Sequence, residues 1–87
     1  MKYLVSYDLL TPGKDYDKLY NVLKSAKNWW HYLDSTWIIS TNESLSKWSD
    51  KIRNAIDDND NFLIVDITKS TRNGWPPQKA WDWLDNN

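Results

Sequence analysis

Along the chain, stretches that alternate apolar and polar residues give way to stretches with helical spacing. Lys2-Tyr3-Leu4-Val5-Ser6-Tyr7-Asp8 mixes aromatic and β-branched residues and breaks at Thr11-Pro12-Gly13, which predicts a strand and a turn. From Asp15 onward, apolar side chains recur at Tyr16, Leu19, Tyr20, Leu23 and Ala26. That spacing predicts an amphipathic helix with Asp15 as its N-cap. The aromatic run from Asn28 to Leu33, the turn Asp34-Ser35 and the segment Thr36-Trp37-Ile38-Ile39-Ser40 predict an antiparallel hairpin. A second helical stripe follows at Leu45, Trp48, Ile52, Ala55 and Ile56, with a cap between Asn42 and Ser44. The polar knot Asp57-Asp58-Asn59-Asp60-Asn61 ends it. Phe62-Leu63-Ile64-Val65-Asp66-Ile67 shows little alternation, so a strand buried on both faces is expected.

The resulting order, β-α-β-β-α-β, is that of an α+β, ferredoxin-like fold: a four-stranded antiparallel sheet with both helices on one face. Residues 1–68 make up that unit. Residues 69–87 form a tail of the same domain, in which Pro76-Pro77 followed by Ala80, Trp81 and Leu84 predicts a short C-terminal helix. Strand one would direct Tyr3, Val5 and Tyr7 to one side of the sheet and Leu4, Ser6 and Asp8 to the other. Helices on one face leave the opposite face bare, and a bare apolar sheet face on so small a chain marks a subunit interface; a homodimer or higher oligomer is expected.

Composition narrows the function classes. A domain of 87 residues holds one small core and buries only about 60% of the surface of its unfolded chain. Lys and Arg number 11 against 12 Asp and Glu, so the basic excess of a duplex nucleic-acid binder is missing and polynucleotide binding is not expected. With no cysteine, thiolate zinc sites and disulfides are excluded. The longest apolar run, Phe62 to Val65, is too short for a membrane span, and the N-terminus does not read as a signal peptide. A cytoplasmic location follows. Seven Trp and five Tyr are the unusual feature.

Two resemblances add to this reading. Tyr3-Leu4-Val5-Ser6-Tyr7-Asp8-Leu9 resembles the first strand of the small CRISPR-associated adaptation subunit, and Leu33-Asp34-Ser35-Thr36-Trp37-Ile38-Ile39 falls where a later strand of that family would lie. More closely, Tyr7-Asp8-Leu9, Pro12-Gly13, Asp15-Tyr16, Leu19-Tyr20, Asn28-Trp29-Trp30-His31-Tyr32-Leu33 and Ser35-Thr36-Trp37 resemble small bacterial and phage proteins known as SinR-like, over roughly residues 2 to 68. The first resemblance implies a ferredoxin-like dimer and points to Asp8 as a metal ligand for RNA or DNA cleavage. The arginines that follow the corresponding Asp in that family are replaced by Leu9, Leu10 and Lys14, and the chain has only Arg53 and Arg72. That leaves few side chains suited to bidentate phosphate contacts. The phage side of the second resemblance implies a protein acting in a host bacterial cell, where it could sequester a defence signal such as a cyclic nucleotide.

Individual residues carry competing readings. Asp8 could bind a divalent cation with its symmetry mate, or could accept N–H groups from the Thr11-Pro12-Gly13 turn. His31, the sole histidine, could contact a phosphate or act as a general base, or be packed among aromatics. Alternation along the hairpin puts Trp29, His31 and Leu33 on one face, with Trp30 and Tyr32 on the other. Trp37 and Trp48 fit core positions. Trp29, Trp30, Trp75, Trp81 and Trp83 exceed what the domain can bury, leaving rings for a subunit interface or for base stacking, where each stack is worth about 1–3 kcal/mol. Asp57-Asp58-Asn59-Asp60 departs from a calcium loop and reads as a solvated turn. Lys69-Ser70-Thr71-Arg72-Asn73-Gly74-Trp75 gathers cations, hydroxyls, an amide and a stacking ring, the parts needed to hold a phosphate and a base.

No nucleophile-with-base pattern, phosphate loop or catalytic carboxylate pair stands out. The leading expectation is therefore a small oligomeric protein, not an enzyme, that binds a nucleotide-type ligand without cofactor or metal. Its candidate contacts are Tyr7, Asp8, Lys14, Trp30, His31, Arg72, Asn73 and Trp75. The alternatives are a Mg²⁺-dependent nuclease built on Asp8 and a protein-interaction module.

Overall fold

A computed structural model of the chain describes residues 1–11 and 15–87. The elements are β1 (Lys2–Asp8), α1 (Asp17–Lys24), β2 (Asn28–Leu33), β3 (Thr36–Ser40), α2 (Leu45–Arg53), β4 (Asn61–Asp66) and α3 (Gln78–Asn86). The strands form one antiparallel sheet in the order β2-β3-β1-β4. With β3 between β1 and β2, this is the split βαβ arrangement of a ferredoxin-like α+β domain.

Alternation on the central strands sets the two faces. Tyr3, Val5 and Tyr7 of β1 are buried on one side, and the register places Ile39 beside Tyr3 and Trp37 beside Val5. Onto this face α1 contributes Leu19 and Leu23, while α2 contributes Trp48 and Ile52, closing the main core. Trp37 and Trp48, the core positions expected of them, are both fully buried. Their indole N–H groups stay bonded inside that core: Trp37 donates to the Tyr7 hydroxyl (2.9 Å) and Trp48 to the Thr41 hydroxyl (3.1 Å).

One cap matches its sequence signal: Ser44 accepts the Lys47 N–H (3.2 Å) at the start of α2. The other does not, because α1 begins at Asp17 with Tyr16 in the N-cap position and no side-chain capping bond; Asp15, one residue earlier, accepts the Asp17 N–H (2.9 Å). Glu43, just before α2, draws Lys47 and Lys51 to its carboxylate.

Several expectations need correction. The face opposite α1 and α2 is not bare, because α3 packs there and buries Ala80 and Leu84 against Trp30 and Ile38. Trp30, counted among the surplus rings, is therefore core. β4 is not buried on both faces: it is a sheet edge, and α3 lies over the other half of the sheet. Leu63 and Val65 consequently remain 63% and 41% exposed. Finally, alternation fails within β2. Trp30 pairs with Ile38 but Leu33 pairs with Thr36, so β2 spends three steps where β3 spends two. This bulge turns Leu33 to the face of Trp30 instead of that of Trp29 and His31. Neither Asp34 nor Ser35 has a positive φ, so the turn is not one of the primed types that match strand twist, and the bulge takes up the difference.

The knot after α2 is also more than a solvated turn. Asp60 is only 7% exposed. Its carboxylate accepts the Leu10 N–H (2.7 Å), the Tyr16 hydroxyl (2.8 Å) and the Asp57 N–H (2.8 Å), tying the α2–β4 turn to the segment before α1. Among the described residues no helix is long and apolar enough to cross a membrane.

Candidate functional site

Docking α3 on the second face leaves a gap, because α3 meets the sheet on the β2–β3 side while the chain reaches it from the far edge. After β4 a short turn (Ser70 N–H to the Ile67 carbonyl, 3.1 Å) leads into an irregular stretch up to Pro77. That stretch arches over the sheet and encloses a cavity of about 460 Å³, large enough for a nucleotide-sized molecule. Its floor is Leu4, Trp30, Leu33 and Ile38; one wall is Ser70 to Pro76 and the other is Trp81 and Leu84 of α3.

Two hydrogen bonds fix the geometry. The Trp30 indole N–H donates to the Ala80 carbonyl (3.1 Å), anchoring α3 to β2. The Arg72 guanidinium donates to the Leu84 carbonyl (2.9 Å), so a cation sits at the C-terminal end of α3, where the helix dipole favours it. Arg72 is the one charged residue among the described residues that line the cavity. Gly74 has φ +155, a backbone conformation that side-chain-bearing residues rarely adopt, and a Cβ there would meet only Pro76 at 3.8 Å. Backbone preference, not crowding, therefore calls for glycine at this bend. The bend leaves the Trp75 ring fully exposed at the rim.

Of the candidate contacts, Trp30, Arg72, Asn73 and Trp75 come together around this cavity. The others do not. Tyr7 lies on the helix face, where its hydroxyl accepts from Trp37 and donates to the Asp34 carbonyl (3.3 Å). Burial holds its phenol above the usual tyrosine range, with the Trp37 hydrogen bond pulling the opposite way. His31 lies flat on Trp37, ring centroids 3.9 Å apart, and its Nε2–H donates to the same Asp34 carbonyl (3.0 Å). Tyr7 and His31 thus both brace the β2–β3 turn.

Asp8 is exposed at the end of β1, paired in register with Asn61, in a shallow recess of about 240 Å³. Of the Thr11-Pro12-Gly13 turn, the Thr11 N–H is held by the Tyr16 hydroxyl (3.2 Å), and the N–H of Leu10 just before it by Asp60. Lys14, Pro12 and Gly13 lie outside the described residues. No group of three or more His, Cys, Asp or Glu side chains able to hold a metal occurs among the described residues.

Leu4, Leu33, Ile38, Trp81 and Leu84 are cavity residues that the sequence did not mark as a site. Leu4 and Ile38 are the second-face positions of β1 and β3, and Trp81 and Leu84 share one stripe of α3. Matching those two apolar surfaces would have located the gap between them. No family model matches the chain, and none of the curated proteins compared with it does either.

Proposed function

We propose that the protein binds a nucleotide-type small molecule in the cavity between the second sheet face and the C-terminal segment. The carrying observation is the company kept there by Trp30, Trp75 and Trp81 with Arg72 and Asn73 around about 460 Å³ of largely apolar space. An aromatic base would stack against an indole at the rim, and Arg72 with the hydroxyls of Ser70 and Thr71 would meet a phosphate or ribose. A single cation suits a ligand of low charge, such as a monophosphate or a cyclic nucleotide, better than a polyanion. In the setting implied by the SinR-like phage resemblance, such binding would sequester a host signal without altering it.

The test is a tryptophan-fluorescence titration against mono-, di- and cyclic nucleotides, with the bound molecule recovered by denaturation and chromatography. A saturable change with the ligand returned intact supports binding without chemistry. Ligand returned in altered form would replace the binding reading with an enzyme. No response from any nucleotide would remove it.

Asp8 motivates the second reading, Mg²⁺-dependent cleavage, because its carboxylate is exposed and no described residue bonds to it. Under that reading Asp8→Asn abolishes Mg²⁺-dependent loss of RNA or DNA while leaving the melting temperature unchanged. Cleavage that survives the substitution rejects it.

A further inference from the structure

The sheet has two edges, and they differ. β2 is blunted by its bulge between Trp30 and Leu33, a device that interrupts pairing with another strand. β4 has no such protection: Asn61-Phe62-Leu63-Ile64-Val65-Asp66 contains no bulge, Pro or Lys, and its one charge sits at the end. The Ile67 N–H donates to the Lys2 carbonyl (2.9 Å), which sets the phase of the β1–β4 ladder. Odd-numbered residues of β4 turn their backbone groups to β1, and Phe62, Ile64 and Asp66 turn theirs outward. Among the described residues nothing bonds to those outward groups. Leu63 and Val65, the exposed aliphatics of the second face, stand on the same strand.

We propose that β4 pairs antiparallel with β4 of a second copy of this chain about a two-fold axis at Ile64, joining two four-stranded sheets into one. The outward-facing residues Phe62, Ile64 and Asp66 are symmetric about Ile64, so this register bonds all of them. Ile64 meets its own mate, and Phe62 meets Asp66 of the other copy. It also sets Leu63 against the second copy's Val65, and the reverse. The four aliphatic side chains then form one patch, continued by Leu4, which neighbours Val65 in register. Charge favours this direction: antiparallel pairing holds the two Asp66 carboxylates roughly 13 Å apart along the strands, while parallel pairing would set them side by side. A single strand pair is smaller than a standard interface, so the dimer is weak and concentration-dependent. It stands independently of the nucleotide reading, and its test uses no nucleotide.

The test is sedimentation equilibrium of the full chain from micromolar to millimolar concentration, combined with amide hydrogen exchange at both ends of that range. The expected result is reversible dimerisation, with the Phe62, Ile64 and Asp66 amides slowed at least about tenfold as the dimer fills. The Leu63→Lys/Val65→Lys variant should stay monomeric at the highest concentration with an unchanged melting temperature, since both positions are exposed in the monomer. A monomeric mass up to millimolar concentration would overturn the proposal, leaving the edge to a different protein's strand. So would a dimer whose Phe62 and Ile64 amides exchange as fast as in the monomer. The exchange result on the unaltered chain decides the matter even if the variant fails to fold.

Discussion

Asp60→Asn is the substitution whose cost the structure fixes best. Among the described residues, the Asp60 carboxylate accepts hydrogen bonds from Leu10 N–H and Tyr16 O–H on one oxygen and from Asp57 N–H on the other. Bonds to a charged acceptor contribute about 1.5–3 kcal/mol each, and a buried donor left unpaired costs about 1–3 kcal/mol. Asparagine keeps one accepting oxygen and points an NH₂ group at the remaining donor. One bond is lost, one donor is orphaned, and the surviving pair loses its charge assistance. The net cost is about 2–4 kcal/mol, which for a domain of this size lowers the melting temperature by roughly 10–25 °C. Circular dichroism on heating at pH 7 reads this directly, with Asp58→Asn as control. The Asp58 carboxylate is exposed and, among the described residues, pairs with the exposed Arg53 (2.7 Å), so its replacement should shift the transition by no more than about 2 °C. Equal, small shifts in the two variants would refute the assignment of Asp60 as the tie between the α2–β4 turn and the segment before α1.

Thr41→Val removes the hydroxyl that accepts both the Trp48 indole N–H and the Glu43 N–H at nearly constant volume; urea denaturation should show a loss of about 1–3 kcal/mol with an unchanged slope. Glu43 is held below its ordinary 4.5 chiefly by hydrogen bonds from Lys47 and Lys51. Its folded value is depressed, so its contribution is present above about pH 4.5 and is lost as pH falls through the lowered value. Melting temperatures measured from pH 2 to 7 should therefore fall less steeply on the acid side for Glu43→Gln than for the unaltered chain; identical acid limbs would contradict this.

The fold was legible because its signals are local. Aromatic and β-branched residues ahead of a turn marked β1, helical stripes marked α1 and α2, and Ser44 stood where a cap is needed, while the cap of α1 fell on Tyr16 and not on Asp15. What sequence could not supply was the partner of each surface. Leu63 and Val65 read as doubly buried because an apolar run carries no information about whether its strand is central or at an edge. Leu33 read on the wrong face because a bulge depends on the turn geometry. Asp60 looked like its acidic neighbours because its distinction is the approach of Leu10 and Tyr16, over forty positions earlier in the chain. Among the site residues, Arg72, Asn73 and Trp75 were found together because they are consecutive in kind and place. Tyr7 and His31 were chemically suggestive, yet both are occupied by the Asp34 carbonyl, a backbone atom that no side-chain pattern announces.

Amide and indole chemical shifts of the ¹⁵N-labelled chain, followed while mono-, di- and cyclic nucleotides are added, bear on the proposed site most closely. Binding in the cavity requires shifts concentrated at the Ser70 to Gly74 amides and at the Trp30, Trp75 and Trp81 indoles, with Asp8, His31 and Tyr7 unmoved. Shifts gathered around Asp8 or His31 instead, or none with any nucleotide at millimolar concentration, would contradict a nucleotide site beneath the C-terminal segment.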